Sequence, residues 1–242
     1  MDTQIAVQTK NLSKEFDGKA VLNRLEIKVA QGEIYGILGV NGAGKTTLLK
    51  LIAGLLEPTE GGAYVFGENS WKQRNKVLQN IGSLIEVPYF YEHLSASQNL
   101  SIHLEYMGVS ADIDKALSHV GLPDVGNKPV SKFSLGMRQR LGIARSIIHR
   151  PKVLLLDEPI NGLDPVAIRE MRELFISLKN EGMTILLSSH ILSEVEQTVE
   201  RVVVIANGTL IEVANMEELK NTHQNNLENY LIGKMRGGKY ND

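Results

Sequence analysis

The sequence predicts an α/β fold in which buried strands alternate with helices and a helical insert interrupts the series near residues 90–150. Three observations carry that expectation. Short apolar runs, "IYGILG" (34–39), "VLLLD" (153–157) and "TILLSS" (184–189), have the length of strands covered on both faces. Several segments between them repeat apolar residues at helical spacing. From about 95 to 150 the pattern is helical.

The first thirty residues alternate in short β-like pieces, broken at Asp17-Gly18 and Gln31-Gly32. After "IYGILG" comes a glycine-rich turn, then a helix over 45–55 with apolar residues at 48, 49, 51, 52 and 55. Ser95 with Gln98 makes a capping-box start for the insert, and "IDKALSHV" continues it. Asp164-Pro165 reads as an N-cap followed by proline at the first helical position. Ile168, Met171, Leu174, Phe175 and Leu178 give that helix an apolar face. His190 is expected to open the next helix, and "RVVVIANGTLIEV" reads as a hairpin around Asn207-Gly208. After about residue 221 the chain is polar and carries no clear fold signal. The expected organisation is one domain over 1–221, with a helical subdomain at about 90–150 and a polar tail over 222–242.

Composition narrows the function classes. The 242 residues are 43% hydrophobic and 22% charged, a balance that supports a globular core. A formal charge of −2 gives no global basic field, so nucleic acid is not an expected partner. With no cysteine, disulfides and thiolate zinc sites are excluded. The N-terminus has no apolar core of signal-peptide length, and no apolar run reaches roughly 18 residues. The expectation is a soluble, cytosolic protein.

Two motifs carry chemistry. "GVNGAGKTT" (39–47) has Gly39, Gly44, Lys45 and Thr46 at phosphate-loop spacing, between a strand and a helix as that motif requires. Glycines let backbone N–H groups turn inward around phosphates, and the following helix directs its positive end at them. Lys45 can reach the β- and γ-phosphates and Thr46 can bind Mg²⁺. Asn41, Gly42, Ala43 and Thr47 complete the nucleotide-contacting candidates. In "VLLLDEP" a strand ends in two carboxylates at the edge where α/β sheets bind ligands. Asp157 would hold Mg²⁺, through water, and Glu158 would polarise the attacking water.

With these residues the chain resembles the nucleotide-binding subunit of an ATP-binding cassette (ABC) transporter over about residues 5–215. "FSLGMRQR" (133–140) is similar to the family signature, with Ser134 and Gly136 matching, while Leu135 and Met137 depart from the usual glycine and glutamine. Ser134 also reads as the N-cap of the helix that follows. The resemblance implies a phosphate-loop NTPase core of ABC type with an N-terminal antiparallel β subdomain and a helical insert. It further implies that Ser134 and Gly136 face the nucleotide of a second subunit. Asp164 in "NGLDP" would communicate across that dimer; it is read equally as a helix cap. His190 would be the switch histidine at the γ-phosphate, and Phe16 would stack on adenine, although an N-terminal Phe is more often a core residue.

Glu86, in "IGSLIEVPYF", stands where typical members carry glutamine in the loop that joins the nucleotide site to the helical insert. It is thereby a further catalytic and metal candidate; the alternative is a solvated residue before Pro88. With "SLGM" in the signature it resembles the subgroup that exports bacitracin or confers immunity to lantibiotics. The resemblance implies ATP and Mg²⁺ as cofactors and a homodimer of ATP-binding subunits. It also implies integral-membrane permease subunits on separate chains, and a cytoplasmic location, peripheral on the inner face of the cell membrane. A soluble ABC ATPase acting on ribosomes or DNA would be expected to show two cassettes, a long coiled coil or a basic surface. A phosphate-loop kinase would leave "FSLGMRQR" and His190 unexplained.

Overall fold

A computed structural model describes residues 4–237. At the N-terminus, β1 (Ile5–Phe16), β2 (Lys19–Leu25) and β3 (Lys28–Ala30) form antiparallel pairs, β1 turning into β2 through Asp17 and Gly18. Both turn residues have positive φ, as tight hairpins require. β4 (Ile34–Leu38) then crosses the core, fully buried, and leads through the glycine loop into α1 (Lys45–Ile52). β5 (Glu60–Val65) returns to pair with β1, and β6 (Glu68–Asn69) extends that sheet, whose order is β2-β1-β5-β6 with β3 on β1. α2 (Arg74–Leu78) precedes β7 (Ile81–Leu84).

The insert follows as α3 (Ala96–Met107), α4 (Ile113–His119) and α5 (Leu135–Ile147). The capping box at Ser95 and Gln98 is formed in both directions. β8 (Val153–Asp157), α6 (Pro165–Asn180), β9 (Thr184–Ser189), α7 (Leu192–Glu196), β10 (Arg201–Ala206) and β11 (Thr209–Asn215) complete the second sheet and its covers. Its order is β11-β10-β4-β9-β8-β7, parallel throughout except for the β10–β11 hairpin. His190 lies two residues before α7; Ser189 Oγ accepts from Ile191 N at 2.9 Å and so closes a short turn around the histidine.

Strand periodicity explains why this sheet is apolar along its length. Leu38, Leu156, Leu187 and Val204 face one core, which they share with α6 and the insert. Their neighbours Ile37, Leu155, Leu186 and Val203 face another, shared with α1 and the N-terminal sheet. With both faces covered, successive residues are all buried, each side chain contributing about 1.5–3 kcal/mol.

The segment expected as a polar tail is folded as far as it is described. α8 (Met216–His223) and α9 (Leu227–Met235) follow β11, and Leu227, Leu231 and Met235 are buried in the larger core. These three recur every four residues, one narrow apolar stripe among polar neighbours. Positions 238–242 of that expected tail lie outside the described residues. No helix among the described residues is long and apolar enough to cross a membrane.

Candidate active site

β9 lies between β4 and β8, and all three run parallel, so their carboxyl ends open on one edge. That topology gathers the glycine loop after β4, Asp157 and Glu158 at the end of β8, and His190 after β9. A cleft of about 260 Å³ at this edge is lined by Asn41, Gly42, Gly44, Lys45, Thr46, Thr47, Glu158 and, from β2, Val21. Gly44 has φ 106°, and a Cβ there would meet Leu22 Cδ2 at 2.5 Å, so only glycine lets the loop pass beneath β2. Gly39 is restricted by contact instead, since its Cβ would lie 2.6 Å from the Ile205 carbonyl oxygen.

Lys45 is buried at 6% exposure, and its ammonium donates to Gly39 O at 2.7 Å and Val40 O at 3.3 Å. It also lies 3.1 Å from Glu158 Oε1, a charge contact rather than an aligned hydrogen bond. Glu158 Oε2 is 2.9 Å from His190 Nδ1. An ionised carboxylate only accepts, so Nδ1 carries the proton of this bond and Nε2 remains for another partner. Glu158 itself has φ 47°, a left-handed backbone that turns its side chain back toward the cleft as the chain leaves β8.

Asp157 is held by two hydroxyls: Thr46 Oγ1 donates to Oδ2 at 2.7 Å and Ser188 Oγ donates to Oδ1 at 2.6 Å. A hydroxyl and a carboxylate side by side are hard oxygen donors. They suit Mg²⁺, which takes one or two protein oxygens and completes its shell with water and substrate phosphates. No cluster of three or more His, Asp or Glu among the described residues offers an all-protein metal cage. The donors present therefore fit a cation that arrives with a nucleotide.

Other expected site residues lie elsewhere. Ser134 and Asp164 act as the caps expected of them: Ser134 Oγ accepts from Met137 N at 3.3 Å, and Asp164 Oδ1 accepts from Val166 N and Ala167 N at 3.0 Å. With Gly136 they line a separate open cleft of about 300 Å³ that shares no lining residue with the first. Phe16 is 42% exposed at the end of β1, on the same hairpin as Val21, with the Lys14 ammonium 4.8 Å from its ring centre. Glu86 is not joined to Thr46 or Asp157. Its carboxylate accepts from Lys50 Nζ at 2.6 Å, one helical turn beyond Thr46, and its φ is 63°.

Two features escaped the sequence reading. Ser188 reads in the sequence only as part of a buried strand; the signal there is a polar pair at the strand's carboxyl end. A few residues after Glu86 in the chain, Tyr89, Phe90 and Tyr91 join Asn99, Ile102, His103, Tyr106 and Arg145 in lining a cleft of about 350 Å³. Arg145 donates to Tyr89 O at 2.8 Å and covers the Phe90 ring at 4.8 Å.

A glycine loop feeding a helix N-terminus, with Lys45, Thr46 and a strand-end Asp–Glu pair around one cleft, defines a phosphate-loop nucleotide-binding protein. A family model described as ABC transporter matches residues 22–161. The bacitracin transport ATP-binding protein BcrA of Bacillus licheniformis is 48% identical over 92% of this chain and 74% of its own length. The lantibiotic transport ATP-binding protein SrtF of Streptococcus pyogenes is 44% identical over 89% of this chain and 96% of its own length. A solved ATP-binding subunit of an ABC transporter superposes with a TM-score of 0.82 at 28% identity, covering 95% of this chain and 99% of that one. The chain belongs to the ABC transporter ATP-binding family, and it is an ATP-binding, ATP-hydrolysing subunit of that family.

Proposed function

We propose that this chain powers the export of, or immunity to, a peptide antibiotic of the bacitracin or lantibiotic kind, working with permease subunits on separate chains. The observation that carries the ATPase chemistry is the Lys45–Glu158–His190 series beside the Thr46–Asp157 pair. Lys45 would shift from Glu158 to the β- and γ-phosphates, leaving Glu158 to take the proton of the attacking water. His190, oriented through Nδ1, would present Nε2 to the γ-phosphate. Thr46 and Asp157 would hold Mg²⁺, whose chemistry is to neutralise charge on the phosphate oxygens. Ser134 and Gly136, in their separate cleft, would meet the nucleotide of a second copy in a head-to-tail homodimer, at the positive end of α5. Asp164 would lie at the same dimer contact and Phe16 would stack on adenine.

The substrate class rests on similarity to BcrA and SrtF, whose names give bacitracin and lantibiotic transport. The same reading sets the chain on the cytoplasmic face of the membrane. The test is paired. Purified with its permease, the complex should hydrolyse ATP, and cells carrying both should resist a peptide of this class. Cells with the permease and Glu158→Gln should be as sensitive as cells lacking both. Equal resistance with wild type and Glu158→Gln would reject ATP-driven protection.

A further inference from the structure

We propose that Ser188 is a positioning residue of the hydrolytic centre, its one hydroxyl setting the angle of the Asp157 carboxylate and the course of the Glu158 peptide. The inference rests on the ATPase reading above and adds to it a residue outside the nucleotide cleft lining. Ser188 is fully buried on β9, directly opposite Asp157 in the parallel register with β8. A buried hydroxyl requires partners. Both of its partners belong to the reaction: Oγ donates to Asp157 Oδ1 at 2.6 Å and accepts from the Glu158 N–H at 2.9 Å.

The chemistry of a hydroxyl matters here because it donates and accepts from the same atom. Alanine would do neither, and an acidic side chain would repel Asp157. Thr46 already fixes Oδ2 from the other side, so two hydroxyls anchor the two carboxylate oxygens and define its plane. Without Ser188 one anchor remains and the carboxylate can swing about it. The second bond acts on Glu158, where β8 ends and the backbone turns left-handed with φ 47°. A non-glycine residue in that region is strained, because its Cβ crowds the neighbouring carbonyl. The bond from its N–H to Ser188 helps hold the peptide that aims the side chain at Lys45 and His190. One serine thus ties the metal-holding carboxylate to the proton-accepting one.

Four readouts on the full chain test this. Ser188→Ala should lower kcat roughly tenfold to hundredfold, the size of one lost charge-assisted hydrogen bond. Metal-free binding of a non-hydrolysable ATP analogue should stay within about threefold of wild type. The Mn²⁺ concentration that half-saturates the analogue complex, read by electron paramagnetic resonance, should rise. Ser188→Cys, of similar size but a weaker donor and acceptor, should fall between the two, and it carries the test if thermal melting shows the alanine variant unfolded. Wild-type kcat and wild-type Mn²⁺ half-saturation in the folded variant would overturn the proposal. So would a parallel loss of kcat, analogue affinity and melting temperature with Mn²⁺ half-saturation unchanged, which is the behaviour of a core residue alone. Glu158→Gln run alongside separates the two readings. If that variant hydrolyses ATP at the wild-type rate, the catalytic assignment beneath the proposal fails; if it is inactive and Ser188→Ala is normal, only the role of Ser188 fails.

Discussion

The nucleotide edge of the sheet and the aromatic cleft lined by Tyr89 and Tyr106 are built in opposite ways. At the nucleotide edge, charged and hydroxyl groups from three neighbouring strand ends satisfy one another over short distances, with Lys45 buried among them. In the aromatic cleft, Tyr89 and Tyr106 are 85% and 82% exposed, while His103 Nε2 is buried without a hydrogen bond among the described residues. The first is a preorganised electrostatic site, which suits chemistry on a charged substrate. The second is a rim of aromatic area around an unmet polar atom, the composition of a surface that meets another protein. Glu86 lines neither; it is tied to α1 through Lys50 and leads along the chain through Pro88 to Tyr89.

If that contrast is sound, variants at the nucleotide edge should act on hydrolysis and variants at the cleft on coupling. The largest effect is expected from Glu158→Gln, which should cut hydrolysis by roughly 10²–10⁴ while leaving ATP affinity intact. Single-turnover hydrolysis and analogue binding measure the two separately, and a wild-type rate would move the base role to His190. Lys45→Ala removes a mobile charge from the β- and γ-phosphates and should weaken ATP binding roughly 10–100-fold. Titration with a fluorescent ATP analogue checks it; unchanged affinity would break the assignment of the edge.

Glu86→Gln should change purified ATPase activity only modestly, by about fivefold or less, a surface ion pair such as Glu86–Lys50 being worth ~0–1 kcal/mol. Peptide resistance in cells with the permease should fall more. Glu86→Ala should damage both, and wild-type behaviour of that variant in both assays would reduce Glu86 to a solvated loop residue.

The smallest effect concerns pH. Burial, helped by Arg145 and His149, pushes the His103 pKa down from 6.5 to about 4. Neutral His103 is thus favoured in the fold, and protonation favours the unfolded chain. Its contribution to stability is complete above about pH 6.5 and is lost as pH falls toward 4. Melting curves at pH 7 and pH 5 should show the His103→Leu variant losing about 2–4 °C less than wild type. Parallel pH curves for the two proteins would show that the cleft does not hold a neutral histidine.

Legibility followed the same division. Lys45, Thr46, Asp157, Glu158 and His190 were readable because a turn, a strand end and a helix start each have local rules, and the parallel order brings such strand ends together. The caps at Ser95, Ser134 and Asp164 were readable for the same reason, each satisfying N–H groups two or three residues away. β5 is not legible in the sequence, since "EGGAYV" is glycine-rich and becomes a strand by pairing with β1 about fifty residues earlier. α9 is not legible as core, because its apolar stripe is only three residues long and needs the surface of β10 to bury it. The sequence alone determined the strand–helix alternation and the phosphate-binding chemistry, because both depend on residues near one another in the chain. Only the tertiary structure decided that Glu86 pairs with Lys50, that Ser188 joins Asp157 to Glu158, and that aromatic side chains from the segment at 89–91 and from α3 meet across one cleft. Those contacts span about 15 to 36 residues of sequence and are set by sheet order and helix packing, which no local pattern encodes.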